Sequence, residues 1–127
     1  MTEEEKRFLI ECFIDAYNNF NIERMMELIH PNIEFTNVSS GKVNASASGE
    51  RQFRNLAEQA KALFSSRKQS ITKFTATGDG ATVEIEFNGK LAADLPNGMK
   101  AGDMLNLTGS SEFVFSEGKI FRLTDYS

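Results

Sequence analysis

MLNLTGSSEFVFSEGKIFRLTDYS, residues 104–127, is the stretch whose reading decides the fold. Leu105, Leu107, Gly109, Ser111, Phe113 and Phe115 alternate with Asn106, Thr108, Ser110, Glu112 and Val114, which is the period of a β-strand. Glu117-Gly118 then reads as a tight turn, and a second strand follows from Ile120 toward Tyr126. Two strands of this length, joined so briefly, belong at the centre of an antiparallel sheet. With Phe121 and Leu123 turned inward, alternation carries Asp125 onto the same apolar face. A carboxyl group there must be paired, hydrogen-bonded or protonated, because burying a lone charge is costly.

Upstream of this hairpin the chain changes period. Thr2 and Glu5 form a capping box, and Phe8, Leu9, Cys12, Phe13, Ala16, Tyr17 and Phe20 make an apolar stripe on a first helix. Asn21 caps a short second helix carrying Ile22, Met25, Met26 and Ile29, and His30-Pro31 ends it. Ile33, Phe35 and Asn37 share one face of the strand that follows. Residues 39–48 are small and polar and read as a loop. A third helix begins near Ser48-Gly49, with Phe53, Leu56, Ala57, Ala60, Leu63 and Phe64 as its stripe, and stops around Ser65-Ser66. Strands are expected over 69–77 and 81–88, separated by the turn Gly78-Asp79-Gly80. Asn88-Gly89 reads as a turn, or as a bulge in a strand that runs on toward Ala92, and Pro96-Asn97-Gly98 reads as a turn. Helices gathered early and strands gathered late give an α+β class, with three helices from the N-terminal half covering a curved antiparallel sheet.

The 127 residues fit a single domain, 1–127. Eleven phenylalanines among thirteen aromatic residues point to a large apolar interior or to an apolar cavity wall. A net charge of −4 argues against general nucleic-acid binding. The basic residues Arg51, Arg54, Lys61, Arg67 and Lys68 are interspersed with acidic ones and read as a solvated face. Cys12 is the only cysteine, so it has no internal disulfide partner and reads as a small apolar core residue. One histidine, one cysteine and no carboxylate pair at ligand spacing leave no metal site, and no cofactor fingerprint is present. No stretch is long or apolar enough to cross a membrane, and the acidic start MTEEEKRF lacks a signal peptide's apolar core, which places the chain in the cytoplasm.

The first helix FLIECFIDAYNNFN, the segment LIHPNIEF, the glycine-led helix GERQFRNL and the ending FVFSEGKIFRLTDYS, in that order, resemble the nuclear-transport-factor-2-like superfamily, in its SnoaL-like and ketosteroid-isomerase-like branch. The resemblance implies a cone-shaped fold with a pocket between helices and sheet, and a homodimer. It implies no one activity, because the fold hosts isomerases, cyclases, hydrolases and non-catalytic binders. The position matching the isomerases' catalytic aspartate is Asn37, their oxyanion tyrosine falls on Phe13, and their protonated aspartate falls near Ser111. All three depart from the pattern, so steroid isomerisation is rejected. The Arg/Asp pair of limonene epoxide hydrolase finds no counterpart. SnoaL-like cyclases are similar in placing a functional aspartate late in the chain, near Asp125.

Asp125 is therefore the candidate acid/base and Tyr17, one turn beyond Phe13, the candidate donor to a ligand oxygen. Phe13, Phe35, Asn37, Phe53, Ser111, Phe113 and Leu123 are the candidate ligand-binding residues. His30 sits where a helix-ending side chain belongs and is set aside. The expected partner is a small apolar, oxygen-bearing ligand. The alternative is a non-catalytic dimeric binding or scaffold domain, favoured by the incomplete catalytic constellation.

Overall fold

The computed structural model describes residues 1–127. Its elements run α1 (Glu3–Asn18), α2 (Ile22–Leu28), β1 (Ile29–Ser39), β2 (Lys42–Ser48), α3 (Gly49–Ala62), β3 (Phe64–Ala76), β4 (Gly80–Leu91), β5 (Met104–Ser116) and β6 (Lys119–Tyr126). All strands join one curved, unclosed sheet in the order β2-β1-β6-β5-β4-β3, which puts the β5–β6 hairpin at the centre. Glu117 and Gly118 close that hairpin with φ values of 56° and 75°. Two positive φ values in a two-residue loop match the right-handed twist of the flanking strands.

The helices begin where the sequence predicts. The Thr2–Glu5 capping box forms in full, and the Asn21 side chain accepts from the Arg24 amide. The buried stripe of α1 is rotated from the predicted one. It runs through Ile10, Phe13, Ile14 and Ala16, while Phe8 is 69% exposed. Lys6 is buried as well, because its Nζ donates to the Thr77 and Gly78 carbonyls at the β3–β4 turn. Two overlapping apolar stripes on α1 compete for the sheet, and the Lys6 anchor fits only one of those rotations. Asn18 ties the other end of α1 to β3: its Oδ1 accepts from the Gln69 amide at 2.7 Å, and its Nδ2 donates to the Gln69 carbonyl at 3.1 Å.

The strands depart from expectation in four places. Residues 42–48 are a strand, not a loop; β2 pairs with β1 through a turn in which Ser40 and Gly41 both have positive φ. Its small residues carry little β signal, and the pairing comes from the β1 backbone alongside it. β3 starts at Phe64, so Phe64 belongs to the sheet rather than to the α3 stripe. β4 runs without a break through Asn88 and Gly89, which pair with Asn106 and Leu105. Finally, β1 and β6 run parallel, so the sheet is mixed rather than wholly antiparallel. No hairpin connects those two strands, so local turn chemistry does not set their relative direction.

A register shift opposite Val114 and Phe115 alters the start of β6. Ile120, with no exposure, takes the inward position predicted for Phe121, whose ring packs edge-on against His30 at 5.2 Å. The extra residue restores alternation beyond it, so Leu123 is buried and the strand continues inward at Asp125. Met25 and Leu28 of α2, Phe53 of α3, and Val83, Ile85, Phe113, Ile120 and Leu123 of the sheet join the α1 residues in one core cluster.

Gly80 lets β4 start against β5. A methyl group there would strike the backbone carbonyl of Phe113, whereas one at Gly78 would meet open space. Gly80→Ala should lower unfolding free energy by about 1–3 kcal/mol, while Gly78→Ala should be close to neutral. Urea unfolding of both variants checks the contrast.

Candidate functional site

Three strands deliver the polar part of the site in register. Asp125 of β6 lies opposite Asn37 of β1 on one side and opposite Ser111 of β5 on the other. Beyond Ser111 the row continues into the apolar Val83 of β4. Ser111 is 6% exposed, and its Oγ donates to Asp125 Oδ1 at 2.6 Å. This short bond to a carboxylate is of the stronger, charge-assisted kind. Asn37 does not bond Asp125; its Nδ2 donates to Asn44 Oδ1 at 2.6 Å. One Asp125 oxygen is thus engaged by Ser111, and the other has no side-chain partner.

The row faces a cavity of about 360 Å³ between the helices and the sheet. Asp125, Tyr17, Phe13, Phe35, Asn37, Phe53, Ser111, Phe113 and Leu123 all line it, so the structure gathers every residue singled out from the sequence. Phe13 is the hub of the aromatic wall, 6.4 Å from Phe53 and 6.3 Å from Phe113 between ring centres, and Phe35 packs edge-on against Phe53 at 5.8 Å. The volume is near the lower end of the roughly 300–1,000 Å³ typical of small-molecule sites. Met25, Asn44, Ala45, Gln69 and the inner face of α3 complete the lining. Asn44 and Ala45 escaped the sequence reading because their strand reads as a loop. Gln69 escaped because nothing local marks a polar residue at that strand position as inward-facing.

Burial in the apolar cavity pushes the Asp125 carboxyl up from 3.8 to about 6, against the opposing pull of the Ser111 hydrogen bond. The Tyr17 phenol is also pushed up, first by burial; the positive charge of Arg67 opposes this, and the negative charge of Asp125 adds to it.

Arg67 corrects the reading of the basic residues as a solvated face. It is 5% exposed, under the end of α1. Its Nε donates to the Tyr17 carbonyl at 2.9 Å, and its guanidinium lies 3.7 Å from the Tyr17 ring centre and 4.5 Å from that of Phe20. The buried Nη1 has no hydrogen-bond partner, and burial lowers the guanidinium's pKa from its ordinary value. Cation–π contact and the helix C-terminus together hold this charge without a carboxylate. A single basic residue in a mixed-charge segment gives no sequence signal of such a place.

His30 lies on β1, away from the cavity. Its Nδ1 accepts from the Asn32 amide at 3.0 Å, so Nε2 carries the proton toward Glu117 Oε1 at 3.1 Å. Cys12 is half-buried and packs against the core cluster. No three His, Cys, Asp or Glu side chains converge as a metal-ligand set, and no helix is long and apolar enough to cross a membrane.

The SnoaL-like domain profile matches residues 10–123. The chain belongs to the SnoaL-like family. A comparison with curated protein sequences found no match. Solved structures share the fold at low identity. A protein from Jannaschia sp. CCS1 described as a SnoaL-like polyketide cyclase is 14% identical with a TM-score of 0.81, over 97% of this chain and 85% of that one. A protein with a ketosteroid-isomerase-like fold from Catenulispora acidiphila, in complex with trimethylamine, is 17% identical with a TM-score of 0.76, over 94% and 84%. An epoxide hydrolase of the LEH-like kind from M. tuberculosis is 17% identical with a TM-score of 0.76, over 98% and 83%. These likenesses show that the chain shares their fold.

Two predictions follow from the electrostatics. The folded-state pKa of Asp125 is raised, so the folded protein binds the extra proton between about pH 4 and about pH 6, and stability falls as pH rises through that window. Asp125→Asn removes the effect. The variant should be more stable than the native protein at pH 7.5, by up to about 3 kcal/mol before solvent screening, with a flatter profile from pH 4 to 7. Urea titrations across that range provide the check. For Tyr17, removing the Arg67 charge leaves burial unopposed, so Arg67→Met should raise the phenol's pKa further. Tyr17 and Tyr126 are the only tyrosines and tryptophan is absent, so ultraviolet titration in a Tyr126→Phe background reads Tyr17 alone.

Proposed function

We propose that this SnoaL-like protein binds a small, largely apolar, oxygen-bearing molecule in the 360 Å³ cavity and that Asp125 transfers a proton to or from it. The observation that carries the reading is the carboxyl group of Asp125, held by Ser111 at 2.6 Å on the wall of a phenylalanine-lined cavity and poised at about 6. A group with that pKa populates both protonation states near neutral pH, as general acid–base catalysis requires.

The geometry supports a role for each residue. Ser111 fixes one carboxyl oxygen and leaves the other to the ligand. Tyr17 is a phenolic donor on the same cavity, protonated at neutral pH as phenols ordinarily are, and suits a ligand carbonyl or hydroxyl oxygen. Phe13, Phe35, Phe53, Phe113 and Leu123 supply apolar contact that orients the ligand and excludes water. Protonation or deprotonation beside an oxygen function is the step shared by isomerase, cyclase and hydratase chemistries. The cyclase and hydrolase descriptions of similar structures support this class without selecting within it.

The test begins with thermal-shift screening of oxygenated aromatic and polyketide-like compounds, followed by turnover assays on those that stabilise the protein. Asp125→Asn should then lower the rate by about 10²- to 10⁴-fold while ligand binding persists. Where Asp125 acts as a base, the rate should rise with pH through an apparent pKa near 6. Native turnover by Asp125→Asn would remove Asp125 from the chemistry.

A further inference from the structure

The concave face of the sheet extends beyond the helices that cover it. Past Ser111 on β5, the inward positions continue through Gly109 to Leu107 and Leu105. On the neighbouring strands Phe87 pairs with both Leu107 and Gln69, and Phe64 lies at the start of β3. These residues wall one side of a second hollow of about 230 Å³, whose other side is polar, with Thr108, Ser110, Tyr126 and Ser127. Phe64 and Phe87 meet edge-on at 5.4 Å, and Tyr17 adds a third ring 6.4 Å from Phe87. A Cβ at Gly89 would come within 3.0 Å of both phenylalanine rings, so that aromatic wall depends on a glycine there. Leu107 is 45% exposed although its backbone position faces into the concave side.

The two hollows adjoin and share part of their lining. Tyr17, Asn37, Gln69, Ser111 and Asp125 line both. These five are polar or carry a polar tip, whereas phenylalanine and leucine side chains stand on either side of them. Gly109 lies between Leu107 and Ser111, where a Cβ would strike the backbone carbonyl of Tyr126, so only glycine fits between the two hollows at that point. An apolar inner wall and an outer patch of Leu105, Leu107, Phe64 and Phe87 thus flank the shared polar residues, the acid/base candidate among them.

We infer that the ligand is an elongated molecule with two apolar ends and an oxygen function between them, its second end lying on Leu105, Leu107, Phe64 and Phe87. This rests on the reading that the inner cavity binds an oxygenated apolar ligand, and it adds the ligand's shape and the position of its polar group. A compact ligand would use the inner cavity alone and leave the outer leucines wet. An elongated one covers them and brings its central oxygen to Asp125 and Tyr17. Each methylene transferred from water to an apolar wall strengthens binding on the order of fourfold, so the outer hollow discriminates by tail length.

The experiment compares two aryl ketones, acetophenone and heptanophenone, by isothermal titration calorimetry. They share a phenyl ring and a carbonyl and differ only in the tail beyond the carbonyl. Heptanophenone should bind at least tenfold more tightly to the native protein. Leu107→Asp, at a half-exposed position where folding tolerates charge, should abolish most of that ratio and leave acetophenone unchanged. Circular dichroism and thermal unfolding confirm that the variant is folded. A ratio that survives Leu107→Asp would place the tail elsewhere and overturn the inference while the inner-cavity reading stands. A ratio that collapses only because the variant changes from dimer to monomer in sedimentation would assign the leucines to a second copy and also overturn it. Failure of the native protein to bind either ketone would count against the inner-cavity reading itself, and the inference would fall with it.

Discussion

The register of the central hairpin is the constraint on which the rest of the structure depends. A two-residue turn with both φ values positive leaves β5 and β6 little freedom to slide. Given that turn and the one extra residue near Ile120, Ser111 must face Asp125. A one-residue slip of β6 against β5 would turn Asp125 to the outer face and leave Ser111 without its partner. The hairpin also positions β1, which pairs in parallel with β6 and brings Asn37 to the far side of Asp125. Three side chains distant in sequence thus come into line through backbone pairing alone.

Around that line the protein tolerates polar groups that a stable core would reject. A carboxyl group raised to about 6 costs stability at neutral pH. Arg67 adds a second strained element, a nearly buried cation with one unpartnered nitrogen beneath Tyr17. These two groups act on the same phenol with opposite sign, since the Arg67 charge lowers its pKa and the Asp125 charge raises it. Such placements are hard to justify by packing and are the kind that binding and catalysis use. The aromatic wall opposes them: Phe13, Phe35, Phe53 and Phe113 keep the dielectric low, so the carboxyl stays perturbed.

Much of this was legible in the chain, for reasons that vary by element. α1 was legible through its capping box, and β5 through strict alternation. β2 was not, because alanines and serines carry no burial pattern and the strand exists through pairing with β1. At Asn88-Gly89 the residues allow either a turn or a continuing strand, and pairing with β5 keeps β4 extended. Phe8 and Ile10 could both have belonged to the buried stripe of α1, and its tertiary anchors, Lys6 on the β3–β4 turn and Asn18 on Gln69, fix the rotation that buries Ile10. In the site, Asp125 and Ser111 were legible because alternation needs no knowledge of the partner strand. Arg67, Gln69 and Asn44 were not, because each acquires its meaning from an element remote in sequence.

By itself the sequence determined the α+β class, the central hairpin, the inward carboxylate and the aromatic supply for a cavity wall. All of these follow from periodicity and turn chemistry, which act over a few residues. Tertiary structure alone decided the parallel pairing of β1 with β6, the burial of Arg67 under Tyr17 and the sharing of one set of polar side chains by two neighbouring hollows. Those depend on how far the helices reach along the sheet and on which strand edge is left free, which are distances between elements and not properties of any one of them.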